Sequence, residues 1–178
     1  MKVYKNMSGL DFIILSRLEK GRVLVKFLET GSVVESWSGN CAAGKVADPF
    51  QKSRLGVGYM GLYEKQPYHK AAHQLWSNML KRCYDPNDKK GYYGKGVVVD
   101  PHWHCYANFL QDMKSLDGFQ NWVNREGYDL DKDTLGDGKT YSRYTCKFIP
   151  SALNKSLGKK DKKKIDGEWV TTTLKDNG

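Results

Sequence analysis

The chain has 178 residues, 39% of them hydrophobic and 28% charged, with a formal net charge of +9. That length buries one good core, or one core with a small satellite module, and the positive balance points to a polyanionic partner, most often nucleic acid. No apolar run approaches the roughly 18 residues that span a bilayer and no charged-then-apolar leader opens the chain, so the expectation is a soluble, intracellular protein with no membrane partner.

In chain order, the first sixty residues alternate as strands do. "DFIIL", "RVLVKFL" and "SVVESW" are β-branched or aromatic runs separated by "EKG" and "ETG" turns, with Gly21 and Gly31 suited to positive φ. Residues 1–62 therefore read as a small β-module of three to five strands, similar to SH3-like barrels, that binds DNA or packs against the rest. Residues 44–65 are rich in glycine and turn formers and read as a connector.

The next segment, "YHKAAHQLWSNMLKRCY", carries Ala72, Leu75, Trp76, Met79, Leu80 and Cys83 on one helical stripe and stops at Pro86. "YYGKGVVVD" reads as a glycine turn and short strand. "HWHCYANFLQDM" reads as a second helix burying Trp103, Phe109, Leu110 and Met113, with a further helical turn through Trp122 at 118–125. "YDLDKDTLGDGKTYSRYTCKFIPSALN" (128–154) reads as strand, turn, strand and helix start, with Pro150 at the first helical position. The fold class expected is α+β, with domains at 1–62 and 63–157 and a basic arm at 158–178 that has a weak strand at "EWVTTTL".

The charge is uneven. From Lys139 to Lys175 there are ten Lys or Arg against Asp161, Asp166 and Glu168, a net of +7. The candidate DNA contacts are therefore Lys139, Arg143, Lys147, Lys155, Lys159, Lys160, Lys162, Lys163 and Lys164. Cys41, Cys83, Cys105 and Cys146 form no CxxC pair, which favours reduced, buried thiols over a zinc site built from Cys83, Cys105 and a histidine.

A carboxylate at the end of a strand and an amide on the following helix can hold one hard cation between them, and Asp131 and Asn154 have that chemistry. The ordered string "LWSNMLKRCY", "YYGKGVVVDPHWHCYANFLQDM" and "LDKD…G…YS…TCKFIPSALN" resembles the HNH, or His-Me finger, endonucleases, in particular the free-standing homing enzymes encoded by phages. The resemblance covers roughly residues 68–157. It implies a ββα nuclease domain, hydrolysis of phosphodiesters in double-stranded DNA, and a Mg²⁺ or Mn²⁺ ion held by Asp131 and Asn154, with Asp133 as an outer partner. It also implies action in the cytoplasm of an infected bacterial host.

One departure matters. Where the best-known members carry the histidine that activates water, directly after the acid, this chain has Lys132. A lysine at its ordinary pKa is protonated and accepts no proton at pH 7. Three readings stay open: Lys132 clamps phosphate while another group is the base; Lys132 is itself a base through burial, against the pull of Asp131 and Asp133; or the domain binds DNA without cutting it. Replacement bases are His69, His73, His102 and His104, and His104 is the choice because it is expected to open a helix near the crevice. His69 and His73 stand at i, i+4, but Lys70 replaces the glutamate of zinc-binding helices. A third class, a protein-interaction module with a merely solubilising tail, is also compatible with the composition.

Overall fold

The computed structural model describes residues 2–136, 138–160, 163–165 and 168–170, and side chains as far as residue 156. It is a mixed α+β fold that divides into two compact units. The first comprises residues 1–65 together with Cys105–Ala107; the second takes the remainder.

In the first unit, β1 (Val3–Lys5), β2 (Asp11–Arg17), β3 (Arg22–Phe27) and β4 (Val33–Trp37) form an antiparallel sheet in that order. Alternation drives it: Val23, Val25 and Phe27 point inward with Phe12, while Arg22 and Lys26 face water. Cys41, on the short helix α1 (Ser38–Ala42), and Val46 close the core. The expected SH3-like barrel does not close. β1 and β4 are the two edges, and no strand pair joins them among the described residues. A register shift between Ile14 and Ser16 bends β2, but four strands of three to seven residues leave the sheet open. The glycine-rich stretch stays with this unit. Gly61 N–H donates to Pro49 O (2.8 Å), and Tyr59 bridges in parallel to Cys105, a return that the sequence pattern does not announce.

The second unit is built on α2 (His69–Tyr84), whose stripe buries Ala72, Trp76, Met79, Leu80 and Cys83. Trp76 Nε1 donates to the backbone carbonyl of Trp103 (2.8 Å), and the Trp103 indole donates in turn to Asp112 Oδ2 (2.9 Å), so both large buried indoles have their N–H satisfied. Residues 101–104 form a 3₁₀ turn, and α3 (Tyr106–Asp112) starts after it. His104 therefore ends a turn rather than opening the helix. The strand β5 (Val98–Val99) pairs in parallel with β7 (Thr140–Tyr141). After α4 (Phe119–Val123), β6 (Tyr128–Asp131) pairs antiparallel with β8 (Lys147–Pro150), and α5 (Ser151–Lys160) follows. Pro150 closes the strand instead of starting the helix, since its missing N–H is tolerated at a strand end as well. The expected arm carries α5 on to Lys160 and then two antiparallel strands, β9 (Lys163–Ile165) and β10 (Glu168–Val170). Lys162, Lys175 and the strand expected beyond Val170 lie outside the described residues. Among the described residues no helix is long and apolar enough to cross a membrane.

All four cysteines are free and buried. Burial pushes the Cys83 thiol up to about 11, Lys132 and Arg82 opposing in part, and pushes Cys146 up to about 12. Both folded values lie above the ordinary 9.0. The thiols therefore favour the fold fully below about pH 9, and that contribution is lost as the pH rises through 11 to 12. Since the thiolate is the reactive form, Ellman's reagent at pH 8 is expected to label the native protein slowly and all four thiols rapidly in denaturant. Rapid stoichiometric labelling of the native chain would contradict this burial.

Candidate active site

β6, β8 and α5 make a strand–strand–helix unit. Tyr128 stands opposite Pro150 and Asp131 opposite Lys147, and the Ser151 N–H donates to Gly127 O (2.7 Å), which ties the start of the helix to the start of the strand. Asn154 is the fourth residue of α5, one turn in, and α5 packs on both strands. Its side chain lines a cavity of about 500 Å³ together with Asp129, Asn78, Lys81, Arg82 and Lys90. The α2 wall of this cavity is again a helical stripe: Leu75, Asn78, Met79 and Arg82 are spaced i, i+3, i+4, i+7.

Asp131 ends β6 and is only 3% exposed. Its Oδ2 accepts the Thr134 N–H (2.9 Å), so the carboxylate closes the turn that follows the strand. It does not line the cavity that Asn154 faces. Two carboxylates do: Asp88, from the loop after α2, and Asp129, two residues earlier than Asp131 and on the same face of the strand.

Lys132 is buried as well, at 4% exposure. The strand stops at Asp131, so the alternation that would have sent Lys132 to the opposite face ends there. Its ammonium donates to Gly138 O (2.6 Å), pairs with Asp133, and lies 4.7 Å from the Tyr92 ring centre and 5.6 Å from that of Tyr141. Burial is the main cause that raises the Tyr141 hydroxyl far above its usual range, so that ring stays neutral beside the cation. Lys132 thus ties the end of β6 to Gly138, with its contacts to Gly138, Asp133, Tyr92 and Tyr141 all internal to the protein.

The histidines are scattered. His104 Nε2 lies 3.0 Å from the Tyr84 hydroxyl, which also takes the Val99 N–H at 3.0 Å, and His104 does not line the cavity. His69 and His73 sit in the first turns of α2 with ring centres 6.2 Å apart. His102 lies 3.3 Å from Asp112 Oδ2 through Nε2, and Asn108 Nδ2 is 3.3 Å from its Nδ1. Arg143 reaches the other oxygen of Asp112 at 3.9 Å and lies over the Tyr144 ring, beside a small cleft of about 230 Å³. Lys139 and Lys155 are exposed and Lys147 is half-buried. Lys159, Lys160, Lys163 and Lys164 are placed by backbone only. Among the described residues no three His, Cys, Asp or Glu side chains converge as a metal site. The oxygen donors of Asp129 and Asn154, which line one cavity, nevertheless suit a hard cation that keeps several waters.

No family model, curated protein or solved structure matches the chain. The polar cavity residues that sequence reasoning missed are Asp88, Asp129, Asn78, Lys81, Arg82 and Lys90. A signal existed for most of them: Asp129 and Asp131 are two apart on one strand, and Asn78 and Arg82 are four apart on a helix whose apolar stripe alone drew notice.

Proposed function

We propose that the second unit is an HNH-like, His-Me finger type endonuclease domain that hydrolyses phosphodiester bonds in double-stranded DNA with Mg²⁺ or Mn²⁺. One observation carries the reading: Asn154 and a β6 carboxylate share a cavity with Lys81, Arg82 and Lys90, on a strand–strand–helix unit whose first strand ends in Asp131. Lys81, Arg82 and Lys90 draw the phosphate in and neutralise it. Asn154 and Asp129 would hold the cation, which supplies charge stabilisation on the leaving oxygen and an acidified water, while Asp131 closes the turn behind them. His104, held by Tyr84 outside the cavity, is not assigned as the base. The four-stranded sheet of the first unit would add DNA contacts, and the lysines from Lys155 to Lys164 would add backbone affinity. On the phage-type resemblance, the reaction would take place in the bacterial cytoplasm.

A second reading, a DNA-binding protein with a degenerate nuclease fold, is favoured by Lys132, whose contacts are all internal where a base would stand. Supercoiled plasmid incubated with Mg²⁺ or Mn²⁺, against EDTA, separates the two. The nuclease nicks or linearises it, and Asn154→Ala lowers the rate at least a hundredfold with affinity within about twofold. The logarithmic salt slope flattens by up to about four units when Lys159, Lys160, Lys162, Lys163 and Lys164 become glutamine. Retained cleavage by Asn154→Ala sinks the assignment of the amide; binding with no cleavage in any metal leaves the second reading.

A further inference from the structure

Beside the first cavity lies a second, of about 640 Å³, lined by Tyr68, Lys70, Trp122, Arg125, Tyr128 and Asp129 among others. Trp122 and Asp129 line both. Its chemistry is unlike that of the first: three aromatic side chains, two cations and one carboxylate. The volume is that of a small-molecule site rather than of a surface dimple.

The aromatic wall is held from behind. Trp122 stacks on Phe148 (5.3 Å, 29°), and Tyr68 meets Trp122 edge-on (6.3 Å, 78°) and Phe119 likewise (5.4 Å, 79°). Rings fixed in this way meet a flat partner without first losing freedom. The cation at the rim carries an independent sign. Arg125 follows the C-cap of α4 with φ 62°, the left-handed position that glycine occupies without strain. Its N–H donates to Trp122 O (3.0 Å). The fold keeps a strained arginine at that corner, and strain of this kind gathers at ligand clamps.

A ligand with flat apolar faces, a hydrogen-bonding edge and a negative charge is a nucleotide. A base inside a duplex has both faces stacked and cannot offer them, so the fitting occupant is unpaired. We propose that this cleft receives one unpaired nucleobase of a DNA strand, stacked on the Trp122 wall. Lys70 and Arg125 meet its phosphates, and Asp129 accepts from amino or imino groups on the base edge. The proposal rests on the nuclease reading only in taking DNA as the ligand, and it adds a preference for strands with an unstacked base beside the cleavage site.

The test uses the full chain in EDTA, so that no cleavage intervenes, with an oligonucleotide carrying 2-aminopurine, whose fluorescence changes with stacking. A single strand, or a duplex with the probe in a one-base bulge, is expected to bind with a large intensity change; the fully paired duplex binds with little. Arg125→Gly relaxes the backbone and so keeps or raises the thermal midpoint, while single-strand affinity falls roughly five- to fiftyfold and the intensity change shrinks. Lys114→Ala, an exposed charge outside the cleft, lowers affinity slightly and leaves the intensity change as it was. Equal signals from paired and unpaired probes, or an Arg125→Gly protein indistinguishable from wild type, overturns the proposal. Plasmid cleavage with Mg²⁺ by a protein that shows no probe response sinks this site and leaves the nuclease; a full response without cleavage in any metal does the reverse.

Discussion

Replacing Gly118 with alanine is expected to destabilise the second unit by about 2–5 kcal/mol, enough to lower its thermal midpoint by roughly 10 °C or more. Gly118 precedes α4 with φ 74° and ψ 2°, so any side chain there bears the left-handed penalty. Space adds a second term. A Cβ would stand 2.2 Å from Phe148 O and 3.0 Å from its carbonyl carbon, which is backbone and cannot swing aside. That backbone is already pinned, because Phe148 N–H donates to Asp117 O (2.8 Å) and the Phe148 ring stacks on Trp122. Relief would push β8 away from α4, moving the strand that leads into Asn154 and the indole shared by both cavities. Gly127→Ala is the matched control, since Gly127 also has positive φ (73°) but nothing within 4 Å of its Cβ position. Calorimetry on the two variants should show the larger loss for Gly118→Ala; equal losses would mean that the approach to Phe148 is not the cause.

Periodicity made much of this unit legible. The stripe from Ala72 to Cys83 is buried as the 3.6-residue spacing requires, save for half-buried Leu75 at the cavity wall, and Trp122 lies on the short helix expected at 118–125. The β6–β8 pairing and the helix after Pro150 also follow from local pattern and turn chemistry. What the pattern does not carry is pairing between distant two-residue strands. Val98–Val99 beside Thr140–Tyr141 has too few residues to show a period, and the return of Cys105–Ala107 to the first unit leaves no local mark. The open sheet was missed for a related reason: strand-forming runs reveal strands, whereas closure depends on tilt and register across them.

The site was legible in type more than in place. The carboxylates and the amide occupy the strand and helix expected of them, but which aspartate faces Asn154 depends on where β6 stops, and strand ends are the least predictable feature. Lys132 is the clearest case. Its polarity argues for solvent, and the two rings that enclose it, Tyr92 and Tyr141, lie far apart in sequence and come together only through the β5–β7 pairing.

That enclosure makes Lys132→Met the most informative substitution at the site. A phosphate clamp is a surface group: removing it weakens DNA binding and leaves the fold alone. A brace behaves in the opposite way. Methionine fills much of the same volume but leaves Gly138 O without its 2.6 Å donor and removes the cation from both ring faces. A lost hydrogen bond to a charged donor and a desolvated cation–π contact together amount to about 2–4 kcal/mol. Asp133 adds little, because its side chain is 56% exposed and water replaces its partner. The expected result is therefore a thermal midpoint lower by roughly 10 °C, with DNA affinity measured well below that midpoint unchanged within about twofold. The tie between the end of β6 and Gly138 would loosen, and with it the Asp131 carboxylate that accepts the Thr134 N–H, so any Mg²⁺-dependent cleavage would fall along with stability. A Lys132→Met protein that melts with wild type yet binds DNA many-fold more weakly would reverse the assignment and make Lys132 a phosphate contact.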